Sequence, residues 1–260
     1  MDAKSQKSAI IELKQLVGRD VHSIVIEGPE GCGKTYLAKE FARLKGISDF
    51  VSVAPKVAEL KQAMNTAIDL QTPMVLCIEN LDTGVVAASY SLLKFLEEPL
   101  PTVYAVVTCR NVENIPDTIV SRCPVVTVST PNSIDRDNYA MMRNSSSFTD
   151  ICKSPLWRCA RTFKDVDTIL GFKPEQLHYF ETLSQALSFK DTVSNLMWKL
   201  GHFDDNTEAP ALLVLRYLVE IATSPHVKHA GMQCITELSK SRIAAHAILA
   251  KFIFECKYCE

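Results

Sequence analysis

The 260-residue sequence predicts an α/β fold in which a parallel sheet carries helices on both faces and is followed by segments of helical period. Three observations predict it. A glycine-rich loop, Gly28-Pro29-Glu30-Gly31-Cys32-Gly33-Lys34-Thr35, stands between a strand-like run and a helix-like run. Short β-branched runs and amphipathic stretches then alternate as far as Pro131. Beyond that proline the strand signal stops. Such alternation implies right-handed crossovers, and in a sheet of this kind a ligand sits at the C-terminal ends of the strands.

Residues 5–17 carry apolar positions at helical spacing and end at Gly18. Ser23–Ile26 is a β-branched first strand. The loop after it reads G-x-x-x-x-G-K-T without gaps, the pattern of a phosphate-binding loop. Gly28, Gly31 and Gly33 allow a tight turn that aims backbone N–H groups at an anion. Lys34 would reach the β- and γ-phosphates, and the Thr35 hydroxyl would ligate Mg²⁺. Tyr36–Leu44 has helical spacing, so the phosphates would rest on a helix N-terminus. The nucleotide-binding set is therefore Gly28, Pro29, Glu30, Gly31, Cys32, Gly33, Lys34, Thr35 and Tyr36.

A second strand is expected at Phe50–Val53, and Pro55 opens an amphipathic helix through Leu70. Met74–Ile78 is a third, buried strand. A helix from about Val85 to Glu98 stops at Pro99, and strands follow at Val103–Thr108 and Val125–Val128. Ile78-Glu79-Asn80-Leu81-Asp82 closes the third strand, where a nucleotide site needs a carboxylate for the metal and then a group that orients the attacking water. Glu79 meets the first need, one methylene longer than the usual Asp. Asn80 hydrogen-bonds a water but cannot take its proton. An Asx cap on the following helix competes as an explanation of Asn80 and Asp82.

Ser133–Leu170 is polar, Ser-rich at 145–147 and without strand signals, the pattern of a small helical module. Gly171–Pro174 is a candidate linker, and helical periods follow over 175–200, 209–222, 227–239 and 242–258. The expected domains are 1–131, 132–172 and 173–260. Hydrophobic residues make up 47% and charged residues 22%, as in chains that bury a core. Net charge is −2, so DNA contact would need a local basic surface rather than a basic tail. The N-terminus lacks the apolar core of a signal peptide, and no run reaches membrane-spanning length. Nine cysteines, an odd number scattered through apolar runs, indicate a reducing cytoplasm. Cys256 and Cys259 form the sole C-x-x-C pair, too little for a zinc site.

Two peptides carry a resemblance. Ser91-Leu92-Leu93-Lys94-Phe95-Leu96-Glu97-Glu98-Pro99 is similar to the LEEP helix of clamp-loader ATPases, above all the bacterial delta-prime and gamma subunits. Pro116–Cys123 resembles their SRC motif with its preceding proline turn. Order and spacing agree over residues 20–130, and Ser241–Phe254 is similar, more weakly, to the last collar helix. The resemblance implies a P-loop AAA+ domain with a helical lid, an all-α collar, and ATP and Mg²⁺ as cofactors. It makes Arg122 an arginine finger for the nucleotide of a neighbouring subunit. It places a sensor near Cys109-Arg110, where relatives commonly have Thr or Asn and Arg110 departs. A second sensor arginine falls on Arg158, or on Arg161 three residues along the same helix face.

The implied activity is an ATPase that opens a sliding clamp and places it on primer–template DNA, within a homo- or hetero-oligomeric ring. Lys56, Lys61 and Lys94 are candidates for backbone phosphate contacts. Turnover would be weak because Asn80 stands where Glu is usual. The chain is short for the family and lacks the zinc module of gamma-type subunits, which points to a phage-type small subunit, and it departs from many relatives in lacking a basic-proline lead-in. Two alternatives stand beside this: a nucleotide-binding stator that donates the finger, and another AAA+ machine such as a helicase loader or branch-migration motor.

Overall fold

The computed structural model describes residues 4–19, 21–70, 72–84, 86–143, 148–172, 208–222 and 224–240, with 247–248, 251–252 and 255. It divides into two units, Met1–Asp135 and Arg136–Glu260.

The first unit is a five-stranded parallel sheet flanked by helices. Its elements are α1 (Lys4–Val17), β1 (Ser23–Glu27), α2 (Lys34–Lys45), β2 (Asp49–Val53), α3 (Val57–Leu70), β3 (Met74–Ile78), α4 (Val86–Glu97), β4 (Val103–Cys109), α5 (Asp117–Val120) and β5 (Val125–Thr127). The strand order is β2-β3-β4-β1-β5. Every pairing is parallel, with Ile26 opposite Thr108 and Val126, and Ile78 opposite Val107 and Val53. The reversal of strand order at β1 puts the end of that strand, and the loop it feeds, between two neighbours. That is the crevice in which open α/β sheets hold ligands.

Both faces of β1, β3 and β4 are covered, which is why these strands read as continuous apolar runs, while the edge strand β2 is largely exposed. Alternate residues go to opposite cores. Val25, Leu76, Ile78, Ala105 and Val107 pack with Leu60 of α3, Leu92 and Phe95 of α4 and Ile119 of α5. Ile24, Ile26, Val75, Cys77 and Val106 pack with Leu13 of α1 and with Leu37 and Phe41 of α2. Each buried Val, Leu, Ile or Phe among them contributes about 1.5–3 kcal/mol of transfer free energy, which anchors the strand ends that carry the site.

The strand and helix positions match expectation with small shifts at the ends. Pro55 precedes α3 rather than opening it, because Glu59 accepts from the Ala54 N–H at 3.1 Å and fixes the entry turn. β5 stops at Thr127, although the Val128 N–H still donates to the Glu27 carbonyl at 2.8 Å.

The second unit is helical where described: α6 (Ser133–Arg143, which begins in the first unit), α7 (Phe148–Ile151), α8 (Pro155–Cys159), α9 (Phe163–Gly171), α10 (Glu208–Ile221) and α11 (Pro225–Lys240). Leu156, Ile169, Leu213, Leu218, Cys234 and Phe252 share its core. A capping box opens α9, in which Thr162 and Asp165 exchange side-chain-to-backbone bonds. Asp165 also pairs with Arg216 at 2.9 Å, largely buried, tying α9 to α10. Of the helical periods expected at the C-terminus, 175–200 lies outside the described residues, as do Cys256 and Cys259. Of 242–258, residues 247–248, 251–252 and 255 are described, and they are helical.

Candidate functional site

The site is built at the C-terminal edge of the sheet, where β1 runs into the loop. Gly31 and Gly33 hold φ angles of 73° and 96°, a left-handed conformation that glycine enters without steric cost. Gly28 is required for a different reason. A Cβ there would lie 2.5 Å from the Val128 carbonyl oxygen and 3.1 Å from Cys32 Sγ, so only a residue without a side chain fits. On its other side the Gly28 N–H donates to the Cys109 carbonyl at 3.1 Å. The loop therefore starts in a slot between β4 and the residue that follows β5.

Lys34 opens α2 and is 7% exposed. Its Nζ donates to the carbonyls of Gly28 at 2.6 Å and Pro29 at 2.9 Å, which occupies two of three ammonium donors and holds the charge over the loop. Thr35 Oγ1 donates to Glu79 Oε1 at 3.3 Å. Ser52, on the neighbouring strand, donates to the same oxygen at 2.7 Å. A hydroxyl from the loop and a carboxylate from β3 are thus side by side, and the second carboxylate oxygen, Oε2, takes neither bond. Hard oxygen donors in this number suit Mg²⁺, which keeps waters and substrate phosphates as its other ligands. No group of three or more His, Cys, Asp or Glu able to hold a metal occurs among the described residues.

Asn80 has φ 49°, and its side chain caps nothing. The Asx-cap alternative is therefore not realised in Asn80. Its backbone N–H instead donates to Thr108 Oγ1 on β4 at 2.9 Å. Asp82 Oδ2 accepts from the Arg110 N–H at 3.0 Å. The Arg110 guanidinium reaches the loop itself, pairing with Glu30 at 3.0 Å, both groups about half exposed. At the position where the resemblance implies a small polar sensor, Arg110 carries a cation paired with a loop carboxylate. Tyr36, the residue after Thr35, is half-buried in α2.

Burial governs the thiols here. It pushes Cys77 up to about 12, with Glu79 adding repulsion. It pushes Cys109 up to about 12, with Asp82 and Glu27 adding to the effect. Cys32 in the loop is raised by burial, partly offset by the Lys34 charge.

Arg122 stands at the end of α5 and joins the two peptide signatures. Its Nη1 donates to the Thr118 carbonyl at 2.6 Å, closing the short helix, and its Nη2 pairs with Glu97 of α4 at 2.8 Å. Its hydrogen bonds go to Thr118, Ser121 and Glu97 rather than to its own phosphate loop, and it is exposed. Lys56, Lys61 and Lys94 are exposed, and Lys56 pairs with Glu59 at 2.8 Å.

Arg158 and Arg161 belong to the second unit. Arg158 is exposed in α8. The expectation that the two share one helix face is corrected: α8 ends at Cys159, and Ala160 is extended. The Asp165 carboxylate takes the N–H groups of both Arg161 and Thr162, which turns the chain out of the helix.

Sequence reasoning missed Ser52, Thr108 and the Glu30–Arg110 pair. Each depends on which strands are neighbours, since the hydroxyls of β2 and β4 flank the end of β3 only in the order β2-β3-β4.

The parallel sheet, its strand order and the loop at its carboxyl edge define a P-loop AAA+ fold. A DNA polymerase III gamma subunit-related protein from Thermotoga maritima has a similar structure, with a TM-score of 0.57 at 15% identity over 95% of this chain and 97% of that one. The RuvB Holliday junction branch migration motor of the same organism is similar with a TM-score of 0.53 at 14% identity, over 97% of this chain and 87% of that one. At such identities the likeness concerns the fold. The particular relationship comes from sequence: residues 49–132 match the family described as DNA polymerase III, delta subunit. That stretch contains Glu79, Asn80, the LEEP helix and Arg122, and it begins after the phosphate loop. No curated protein matches the chain. The fold is that of AAA+ proteins, and residues 49–132 resemble a DNA polymerase III subunit family. No helix among the described residues is long and apolar enough to cross a membrane.

Proposed function

We propose that the chain is a clamp-loader subunit that binds ATP with Mg²⁺ and couples hydrolysis to placing a sliding clamp on primer–template DNA. The observation that carries the reading is the Arg122–Glu97 pair, in which the SRC arginine is held by the LEEP glutamate and bonds no residue of its own loop. A finger that serves a neighbour must be exposed, anchored and absent from its own nucleotide site, and Arg122 meets all three conditions.

Within one subunit the roles follow from the side chains. The loop N–H groups and the α2 N-terminus bind the triphosphate, and Lys34 neutralises it. Thr35 and Glu79 would hold the metal, which when bound neutralises charge on the phosphoryl oxygens. Asn80 orients water without accepting its proton. Arg122 supplies a planar cation to a neighbour's transferring phosphoryl group. Arg158, on the lid helix, is a candidate contact to the subunit's own nucleotide. A ring of such subunits would meet the clamp and, through Lys56, Lys61 and Lys94 among others, the DNA backbone.

One observation favours a second reading, in which the chain binds nucleotide and donates a finger but turns over poorly. Asn80 occupies a left-handed backbone position that asparagine adopts at less cost than glutamate.

Steady-state ATPase with primed DNA and a clamp separates the readings, on the chain assembled with its partner subunits. A clamp-loader motor shows stimulated turnover in wild type that Arg122→Ala abolishes while ATP binding persists. Turnover absent from wild type and gained in Asn80→Glu establishes the stator. Stimulation by branched DNA without a clamp contradicts both and favours another AAA+ machine.

A further inference from the structure

Helix α1 buries one stripe, Gln6, Ala9, Leu13 and Leu16, at helical spacing. Three of these are apolar and the first is an amide that is 0% exposed. Its Nε2 donates to the carbonyl of Cys32, inside the phosphate loop, at 2.9 Å. Its Oε1 is buried and has no partner among the described residues. An orphaned buried acceptor keeps its desolvation cost uncompensated, so a leucine or methionine would serve the core better than this glutamine does. The donor end must therefore contribute something that packing alone does not.

The geometry points to Gln6 as a positioning residue for the phosphate site, an inference that rests on the nucleotide-binding reading above. In a trans peptide the C=O of one residue and the N–H of the next point in opposite directions. Holding the Cys32 carbonyl toward α1 turns the Gly33 N–H away from α1. Gly33 sits at φ 96°, where its two flanking peptide planes have no side chain to fix them. Cys32 is itself 0% exposed in the same core, so the anchor is rigid. One bond from α1 thereby sets the direction of a loop donor that an anion needs, and it does so before any ligand arrives.

The test is Gln6→Met, which keeps length and burial while removing both the donor and the orphaned acceptor. Three quantities are measured: the Kd for ATP·Mg²⁺ by calorimetric titration, the melting temperature without ligand, and the Gly33 amide resonance in a ¹H–¹⁵N spectrum. The inference expects the Kd to rise about five- to tenfold, the scale of one hydrogen bond. It expects unliganded melting to be unchanged or higher, and the Gly33 resonance to move. Unchanged affinity in the variant beside a wild type that binds overturns this inference alone. A wild type that does not bind ATP overturns it together with the nucleotide reading. Loss of the fold in both Gln6→Met and Gln6→Leu makes Gln6 a core residue and also overturns it.

Discussion

Gly28→Ala strikes the slot where the loop leaves β1. The added methyl would stand 2.5 Å from the Val128 carbonyl oxygen and 3.2 Å from Val128 Cβ, both on the segment after β5. Relief needs a shift of roughly 1 Å to restore ordinary contact distance. Retreat is blocked on the far side, where the Gly28 N–H is bound to the Cys109 carbonyl at 3.1 Å. Overpacking a constrained site costs about 1–3 kcal/mol. In a chain of this size 2 kcal/mol corresponds to roughly 4–8 °C of melting temperature. Affinity falls as well, because the displaced Gly28 carbonyl is one of the two that hold Lys34 Nζ. The loss of ATP affinity is expected to exceed about tenfold, the equivalent of 1.4 kcal/mol. Melting curves and ATP titrations of wild type and variant measure both effects. Gly46→Ala is the control: φ is 72° there but nothing lies within 4 Å of the new methyl, so it strains the backbone and spares binding. A Gly28→Ala protein with wild-type melting and affinity would refute the slot.

Asn80→Gly keeps its fold and melts within about 1 °C of wild type, because glycine accepts the 49° φ, whereas Asn80→Val loses about 1–2 kcal/mol to a left-handed β-branched residue; thermal melting distinguishes them. Glu30→Gln leaves stability unchanged, since the exposed pair with Arg110 is worth little. It tightens ATP binding about threefold at low salt, because one carboxylate no longer faces the triphosphate, and the gain shrinks as ionic strength rises. Alkaline stability follows the buried thiols. Cys77, Cys109 and Cys159 are pushed up to about 12, and Cys123 and Cys234 to about 11, from 9.0. Each thiol stays neutral while folded and ionises near 9 when unfolded. Their contribution is complete below pH 9 and lost as pH rises toward 11–12. Melting temperature is therefore flat from pH 7 to 8.5 and falls above 9, as calorimetry across that range checks.

The sheet was legible because covered parallel strands are short apolar runs, and Ser23–Ile26 and Met74–Ile78 are unambiguous in that respect. The phosphate loop was legible as a contiguous peptide, and so were the two signatures now joined by Arg122 and Glu97. What the sequence withheld was adjacency. Ser52 beside Glu79, Thr108 beneath Asn80 and Arg110 over Glu30 are separated by 27, 28 and 80 positions, and only the strand order brings them together. Gln6 was hidden differently. A lone amide in a helical stripe reads as part of the amphipathic pattern, and its contact with Cys32 comes from the packing of α1 against α2. The Arg158–Arg161 spacing misled because Asp165 captures the backbone after Cys159, a capping interaction that periodicity alone does not reveal.

The central claim is that a nucleoside triphosphate binds at Gly28–Thr35, and calorimetric titration of ATP·Mg²⁺ into wild type and Lys34→Ala tests it most directly. One site per chain is expected in the wild type, and an affinity at least about tenfold weaker in the variant, whose loop loses its buried ammonium. Equal binding by the two proteins would contradict it.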